Sequence, residues 1–287
     1  MSEGKSLFGL NQPVLSGISK FPIQPSQQLG YNPTSRVHRF FDKDRKHRQP
    51  EEQLKMRNLL LISSSRVHGT EFLEHCREAI AEHLQGCQSL LFVPYALKDH
   101  QQYADLVASA LAPIGIAVNS IHNAANVSAS VRQAEAIFIG GGNSFRLLKT
   151  IYDLQLREPL REAVQGRGTP YLGSSAGTNM ACPTIRTSND MPIVEPPSFE
   201  ALDFIPFQIN PHFIDADPNS THKGETREQR IAEFHEENST PVLGLREGSW
   251  LKVQDEQCTL HGKTGAKLFL PNANPAELHP GDHSNLV

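Results

Sequence analysis

The sequence predicts an α/β fold: a doubly wound, mostly parallel sheet with helices on both faces. Two observations carry that expectation. Short apolar runs alternate with segments of helical spacing from residue 54 onward, the pattern of β-α-β units. Two of those runs, Ala136–Ile139 and Pro170–Ser174, lead directly into glycine-rich turns, where such sheets place their sites.

The elements follow in order. Arg57–Ser63 (RNLLLIS) reads as a buried strand ending in the polar triplet Ser63-Ser64-Ser65. Glu71–Leu84 has helical spacing, with Phe72, Leu73, Cys76, Ala79, Ile80 and Leu84 on one face. Ser89–Pro94 is the next strand, Gln101–Leu111 a helix, Ile116–Ile121 a strand and Val127–Ala134 a short helix. Ala136–Ile139 is a strand running into Gly140-Gly141-Gly142-Asn143, followed by helices at Ser144–Tyr152 and Glu158–Gln165 and a strand at Pro170–Ser174. Further on, Phe207–Asn210 reads as a strand and Arg227–Phe234 as a helix. Pro241–Leu245, Ser249–Gln254 and Cys258–His261 read as short strands, the last two as a hairpin on an antiparallel edge.

Residues 1–53 differ. They hold Pro13, Pro22, Pro25, Pro33 and Pro50 among many Ser and Gln, with poor periodicity, and read as a disordered or loosely attached extension to one domain over 54–287. Four basic and no acidic residues between Lys5 and Phe41 resemble a transit peptide weakly, with Glu3 and the prolines against it.

The totals exclude several classes. Of 287 residues, 38% are hydrophobic and 20% charged, enough for one core without disulfides or metal. A net charge of -4 gives no bulk basic character for nucleic acid. No stretch of about 18 apolar residues suggests a membrane span. Cys76, Cys87, Cys182 and Cys258 form no C-x-x-C pair, so they read as reduced thiols of a cytoplasmic protein, with no zinc or redox motif. No cofactor is called for, and oligomeric state, a homodimer included, is left open.

The strongest chemical signal is Gly173-Ser174-Ser175-Ala176-Gly177, a G-x-S-x-G between a strand and a small-residue helix start. In that setting the glycines permit a sharp turn that exposes a strained serine, and their spacing selects Ser175 over Ser174. A serine hydroxyl needs a base. Of 13 histidines, His212 in Gln208–Phe213 is best placed, directly after a strand and stiffened by Pro211, while His222 reads as a loop residue. A third residue should orient the imidazole. Asp190 gives the order Ser175, Asp190, His212 found in α/β-hydrolases; Glu247, after the strand Pro241–Leu245, is the rival, and spacing does not decide between them. The run Gly140–Gly142 lacks the spacing of a dinucleotide fingerprint and the ending of a P-loop. One of its N–H groups, at Gly141 or Gly142, together with that of Ala176 could face an oxyanion; a plain tight turn explains the glycines equally well.

Five segments, Ile139–Asn143, Gly173–Asn179, Ala181–Val194, Gln208–Phe213 and His222–Arg230, together resemble the peptidase E (α-aspartyl dipeptidase) family, in order and spacing, over roughly Asn58 to Leu270. The resemblance implies a cytoplasmic serine peptidase that takes small peptides, dipeptides with an N-terminal aspartate. It implies a sheet similar to that of class I glutamine amidotransferases, with serine replacing cysteine as nucleophile. The family's nucleophile falls on Ser175, its base on His212, its acid on Asp190 with Glu247 as alternative, and its proposed reader of the aspartyl side chain on Arg227. A guanidinium suits that last role because it pairs a carboxylate bidentately. Ser174 stands where some relatives carry tryptophan, and the Pro196–Phe199 and Asp215–Thr221 loops depart in detail. Another hydrolase on this fold (an esterase or cyanophycinase-like peptidase) and a non-catalytic binding protein are the alternatives.

Overall fold

A computed structural model describes residues 56–217, 219, 221 and 224–287. The extension over 1–53 and His222 lie outside the described residues. Twelve strands are present among them: β1 (Asn58–Ile62), β2 (Ser89–Val93), β3 (Ala117–Ser120), β4 (Ile137–Ile139), β5 (Tyr171–Ser174), β6 (Gln208–Phe213), β7 (Val242–Arg246), β8 (Ser249–Gln254), β9 (Gln257–Gly262), β10 (Ala266–Phe269), β11 (Ala276–Leu278) and β12 (Gly281–Asp282). The α-helices are α1 (Arg77–His83), α2 (His100–Leu111), α3 (Val127–Gln133), α4 (Ser144–Asp153), α5 (Arg157–Arg161), α6 (Ala176–Met180) and α7 (Arg227–Glu237).

Two sheets share the strands. The larger runs β12-β9-β8-β1-β5-β4-β2-β3, and the smaller runs β11-β10-β7-β6. From β3 to β1 the pairing is parallel, and β8, β9 and β12 extend it antiparallel beyond β1. The alternation of side chains along each strand divides the core in two. Leu60, Ile62, Phe92, Phe138 and Leu172 pack against Ile80 and Leu84 of the α1 segment and Tyr103, Val107 and Leu111 of α2. Leu59, Leu61, Val93, Ile139 and Tyr171 face the other way, onto Leu147, Leu148 and Ile151 of α4, Leu160 of α5, Met180 of α6, and Ile209, Leu243 and Leu245 of the smaller sheet. Helices on both faces of a mostly parallel sheet are therefore present, as the alternation predicts.

The elements differ from expectation where local pattern loses to packing. The helix expected over Glu71–Leu84 is a 3-10 turn at Glu74–Cys76 followed by α1, because Leu73 adopts a left-handed conformation (φ 59°) that breaks the helix. The helix over Glu158–Gln165 is α5 continued by a π turn at Glu162–Gly166. The predicted antiparallel edge is there, but β6 and β7 leave the main sheet. They pair with each other in parallel and continue into β10 and β11, which carry no strong sequence signal. Residues 247 and 248 are the link by which the chain crosses from the smaller sheet (β7) back to the larger (β8).

Candidate active site

Ser175 occupies the turn between β5 and α6 with φ 53° and ψ -108°. That is a region an L-residue holds only when its surroundings over-determine it, and here they do. The Ser175 N–H donates to the Ile62 carbonyl at 3.0 Å. The Thr178 hydroxyl reaches the same carbonyl at 2.7 Å, and Tyr171 donates to the Gly177 carbonyl at 2.6 Å. Gly177 lies so close to β4 that a Cβ there would sit 1.9 Å from the Ile139 carbonyl oxygen, so only glycine fits. Ser174 is fully buried, whereas Ser175 is partly open to solvent. The exposed hydroxyl is the one the glycine spacing selects.

His212 comes from β6, but from a bulge rather than from the loop beyond a strand. Asn210 pairs with Gly244 and Phe213 with Arg246, so three steps along β6 match two along β7, the count of a β-bulge. Pro211 has no N–H to offer the ladder, and His212 adopts φ 52°. The imidazole is thereby turned across to the larger sheet. Its Nε2 lies 2.9 Å from the Ser175 Oγ, and its Nδ1 lies 2.6 Å from the Glu247 carboxylate. A carboxylate only accepts, so Nδ1 carries the proton and Nε2 presents its lone pair to the serine hydroxyl.

Chain order pointed to Asp190 as the acid with Glu247 as the alternative, and the structure places Glu247, not Asp190, beside the imidazole. The Asp190 Oδ2 accepts from the Ser144 N–H at 2.8 Å, the Ser144 hydroxyl at 2.6 Å and the Ser188 hydroxyl at 3.1 Å, which fixes it at the N-terminus of α4. Glu247, on the link between the sheets, is the residue that meets His212. Ser175, His212 and Glu247 are thus brought together in that order, and Asp190 is held apart from the imidazole by its own partners. Asn189 beside it donates to the Pro211 carbonyl at 2.7 Å, so this segment supports the bulge from outside.

The three glycines after β4 pass directly in front of Ser175. A Cβ on Gly141 would lie 3.1 Å from the Ser175 Cβ, so no side chain screens the hydroxyl from that side. The Tyr103 hydroxyl backs the same run, 2.5 Å from where a Cβ on Gly140 would lie. Gly142, at φ 134°, and Ala176 at the first position of α6 donate to no backbone carbonyl among the described residues. Their N–H groups are free to face a ligand, that of Ala176 as one of the first donors of a helix.

Arg227 opens α7, behind a capping box formed by Thr226 and Gln229. Burial and neighbouring Arg230 lower its pKa, and the charge of Asp190 opposes that shift. No carboxylate lies within ion-pair distance of its guanidinium among the described residues, in contrast to Arg246, which grips both Asp215 and Glu277. The described residues hold no cluster of His, Cys, Asp and Glu that could bind a metal. None of their helices is long and apolar enough to cross a membrane. All four cysteines are free, and burial pushes the thiols of Cys76, Cys182 and Cys258 up to about 12, far from reactive.

Three contributors escaped the sequence reading. Tyr103 and Ser144 sit in helices whose pattern gives no sign of them. Ser63 had one signal, the polar triplet ending the first strand.

A strained serine at a strand-to-helix turn, bonded to a histidine that is in turn bonded to a carboxylate, defines the class of serine hydrolases with a Ser-His-acid constellation. The comparisons narrow the class. The sequence model of peptidase family S51 matches residues 59–261. Peptidase E of Streptomyces coelicolor is 55% identical over 231 residues, which cover 80% of this chain and 95% of the relative. A probable alpha-aspartyl dipeptidase of Drosophila melanogaster is 50% identical over 226 residues, 78% of this chain and 94% of the relative. Among solved structures, a putative peptidase E protein from Listeria monocytogenes superposes with a TM-score of 0.56 at 21% identity, covering 73% of this chain and all of that one. A peptidase from an acI-B1 actinobacterium gives 0.58 at 16% identity, covering 78% and 95%; at such identities these two speak for the fold alone. The chain belongs to peptidase family S51.

Proposed function

We propose that the chain is a serine-type dipeptidase that hydrolyses dipeptides with an N-terminal aspartate, through an acyl-enzyme on Ser175. The observation that carries the chemistry is the unbroken path from Ser175 Oγ through His212 to Glu247, at 2.9 and 2.6 Å. As Oγ attacks the aspartyl carbonyl carbon, its proton passes to Nε2. The imidazolium so formed faces the Glu247 carboxylate, which stabilises it. The oxyanion develops against the N–H groups of Ala176 and Gly142. Collapse breaks the C–N bond, and Nε2 returns the proton to the departing amino group. Water then repeats the sequence on the ester, giving its proton to Nε2 and releasing aspartate from Oγ.

The substrate class follows from the named relatives and from charge. An N-terminal aspartate carries a β-carboxylate and an α-ammonium. Arg227, half-buried and without an ion-pair partner among the described residues, suits the first as a bidentate donor. Asp190, near enough to stabilise the Arg227 cation, brings an opposite charge to the same region. The unpaired thiols fit a cytoplasmic setting.

The test is turnover of an Asp-X dipeptide beside Glu-X, Ala-X and β-aspartyl dipeptides, by wild type and Ser175→Ala. The reading expects Asp-X to be hydrolysed well above the others and Ser175→Ala to lose roughly 10⁶-fold in kcat. Undiminished hydrolysis by Ser175→Ala would remove the serine mechanism; preference for β-aspartyl or Glu-X substrates would remove the α-aspartyl assignment.

A further inference from the structure

The dipeptide Ile62-Ser63 ends β1 where the two sheets meet. Its backbone and hydroxyl groups bond to the backbones of Ser175 and His212 and to the strand ends on either side of Glu247. The Ile62 carbonyl takes the N–H of Ser175 at 3.0 Å. The Ser63 hydroxyl oxygen accepts the N–H of His212 at 2.9 Å and donates its own proton to the Leu245 carbonyl at 2.8 Å. The Ser63 N–H donates to the Ser249 carbonyl at 3.1 Å. Leu245 and Ser249 flank the crossover link that presents Glu247, so Ser63 holds both ends of that link as well as the backbone of the base.

The Ser63 hydroxyl meets a donor that the smaller sheet leaves unsatisfied. The bulge in β6 takes the His212 N–H out of the parallel ladder with β7, and an orphaned buried N–H is costly. Ser63 is completely buried, so water does not replace its hydroxyl. A hydroxyl can donate and accept at once, and here both capacities are used, each on a different arm of the site.

We propose that Ser63 is a positioning residue for the reaction at Ser175: one buried hydroxyl sets the placement of His212 and Glu247 together, relative to a nucleophile anchored on the preceding residue. The proposal rests on the dipeptidase reading for its kinetic part. Removing the hydroxyl frees the His212 backbone and slackens the Glu247 link, and a displacement of about 1 Å at reacting groups lowers turnover by up to ~100-fold. Substrate binding, which the functional reading assigns to Arg227, is untouched.

The experiment compares wild type, Ser63→Ala, Ser63→Cys and Ser64→Ala. Ser64 serves as control because its hydroxyl bonds only locally, to the Arg66 backbone. Two readouts are taken on folded protein: kcat and KM for an Asp-X dipeptide, and the far-downfield proton NMR signal of the His212 Nδ1–H. The expected result is a kcat lowered ~10- to 100-fold in Ser63→Ala, a smaller loss in Ser63→Cys, KM within about twofold of wild type, and a downfield signal weakened or lost in both. Ser64→Ala should match wild type. If Ser63→Ala does not fold, Ser63→Cys decides alone. Wild-type kcat and an intact signal in the Ser63 variants would overturn the proposal. Should wild type itself fail to cleave Asp-X, the functional reading falls, while the NMR signal still judges the positioning.

Discussion

The turn that carries Ser175 is fixed by close backbone packing together with hydrogen bonds, whereas the bulge and link that carry His212 and Glu247 are fixed mainly by side-chain hydrogen bonds from distant segments. Beneath the nucleophile there is no room for a side chain: a Cβ at Gly177 would run into β4, and one at Gly173 would lie 2.7 Å from the Gly177 carbonyl oxygen. Around the base, the restraints are the Ser63 hydroxyl and the Asn189 amide, with Gly244 packed under the Phe213 ring. The difference teaches why one serine can be strained and still rigid. Steric fixation tolerates no added side chain, while hydrogen-bond fixation can draw two sheets together through groups distant in sequence.

The largest effect should come from adding one methyl group to each arm. Gly177→Ala puts a Cβ into the Ile139 carbonyl, which is backbone and has nowhere to go; a loss of about 3 kcal/mol is expected. Gly244→Ala meets the Phe213 ring at 2.6 Å, a side chain that can turn, and should cost about 1 kcal/mol. Denaturant unfolding of both variants measures the contrast, and equal losses would break it.

A smaller contrast lies in acid. His83 sits beneath the nucleophile strand, its Nε2 on the Tyr171 carbonyl at 3.1 Å; burial lowers its pKa from 6.5 to about 4. Between those values the unfolded chain binds a proton that the folded chain refuses, so stability falls as pH drops from 6.5 to 4, by at most about 3 kcal/mol. In the base arm, hydrogen bonds from Arg246, then Lys267, hold Asp215 down at about 2 from 3.8. Its contribution is present above pH 3.8 and lost as pH falls towards 2. With the Asp215 side chain 44% exposed, solvent screening leaves under about 1 kcal/mol. Stability measured against pH should flatten between 6.5 and 4 in His83→Gln, and only below 4 in Asp215→Asn; the reverse assignment would break the comparison.

The same contrast explains what the sequence could tell. The turn at Ser175 is a local structure, and five adjacent residues encode it between a strand and a helix, so it was legible along with the parallel sheet that places it. His212 was legible as a residue, through Pro211 and the preceding apolar run, but not as part of a bulge. The choice of Glu247 over Asp190 depends on β6 and β7 forming a separate sheet, on the crossover at residues 247 and 248, and on Ser144 and Ser188 claiming Asp190. Apart from the local Ser188 bond, these are long-range, and nothing in residue spacing records them. Tyr103, whose hydroxyl backs the glycine run from 37 residues before Gly140, is another long-range neighbour that spacing does not record.

The central claim is that Glu247 completes the path from Ser175 through His212. Replacing it by glutamine keeps the shape but removes the charge that steadies the imidazolium and selects its tautomer. Steady-state turnover of an Asp-X dipeptide by Glu247→Gln, with unfolding monitored to confirm an intact fold, measures that contribution. A kcat lowered by about 10⁴-fold is predicted, and a kcat within tenfold of wild type would contradict the account.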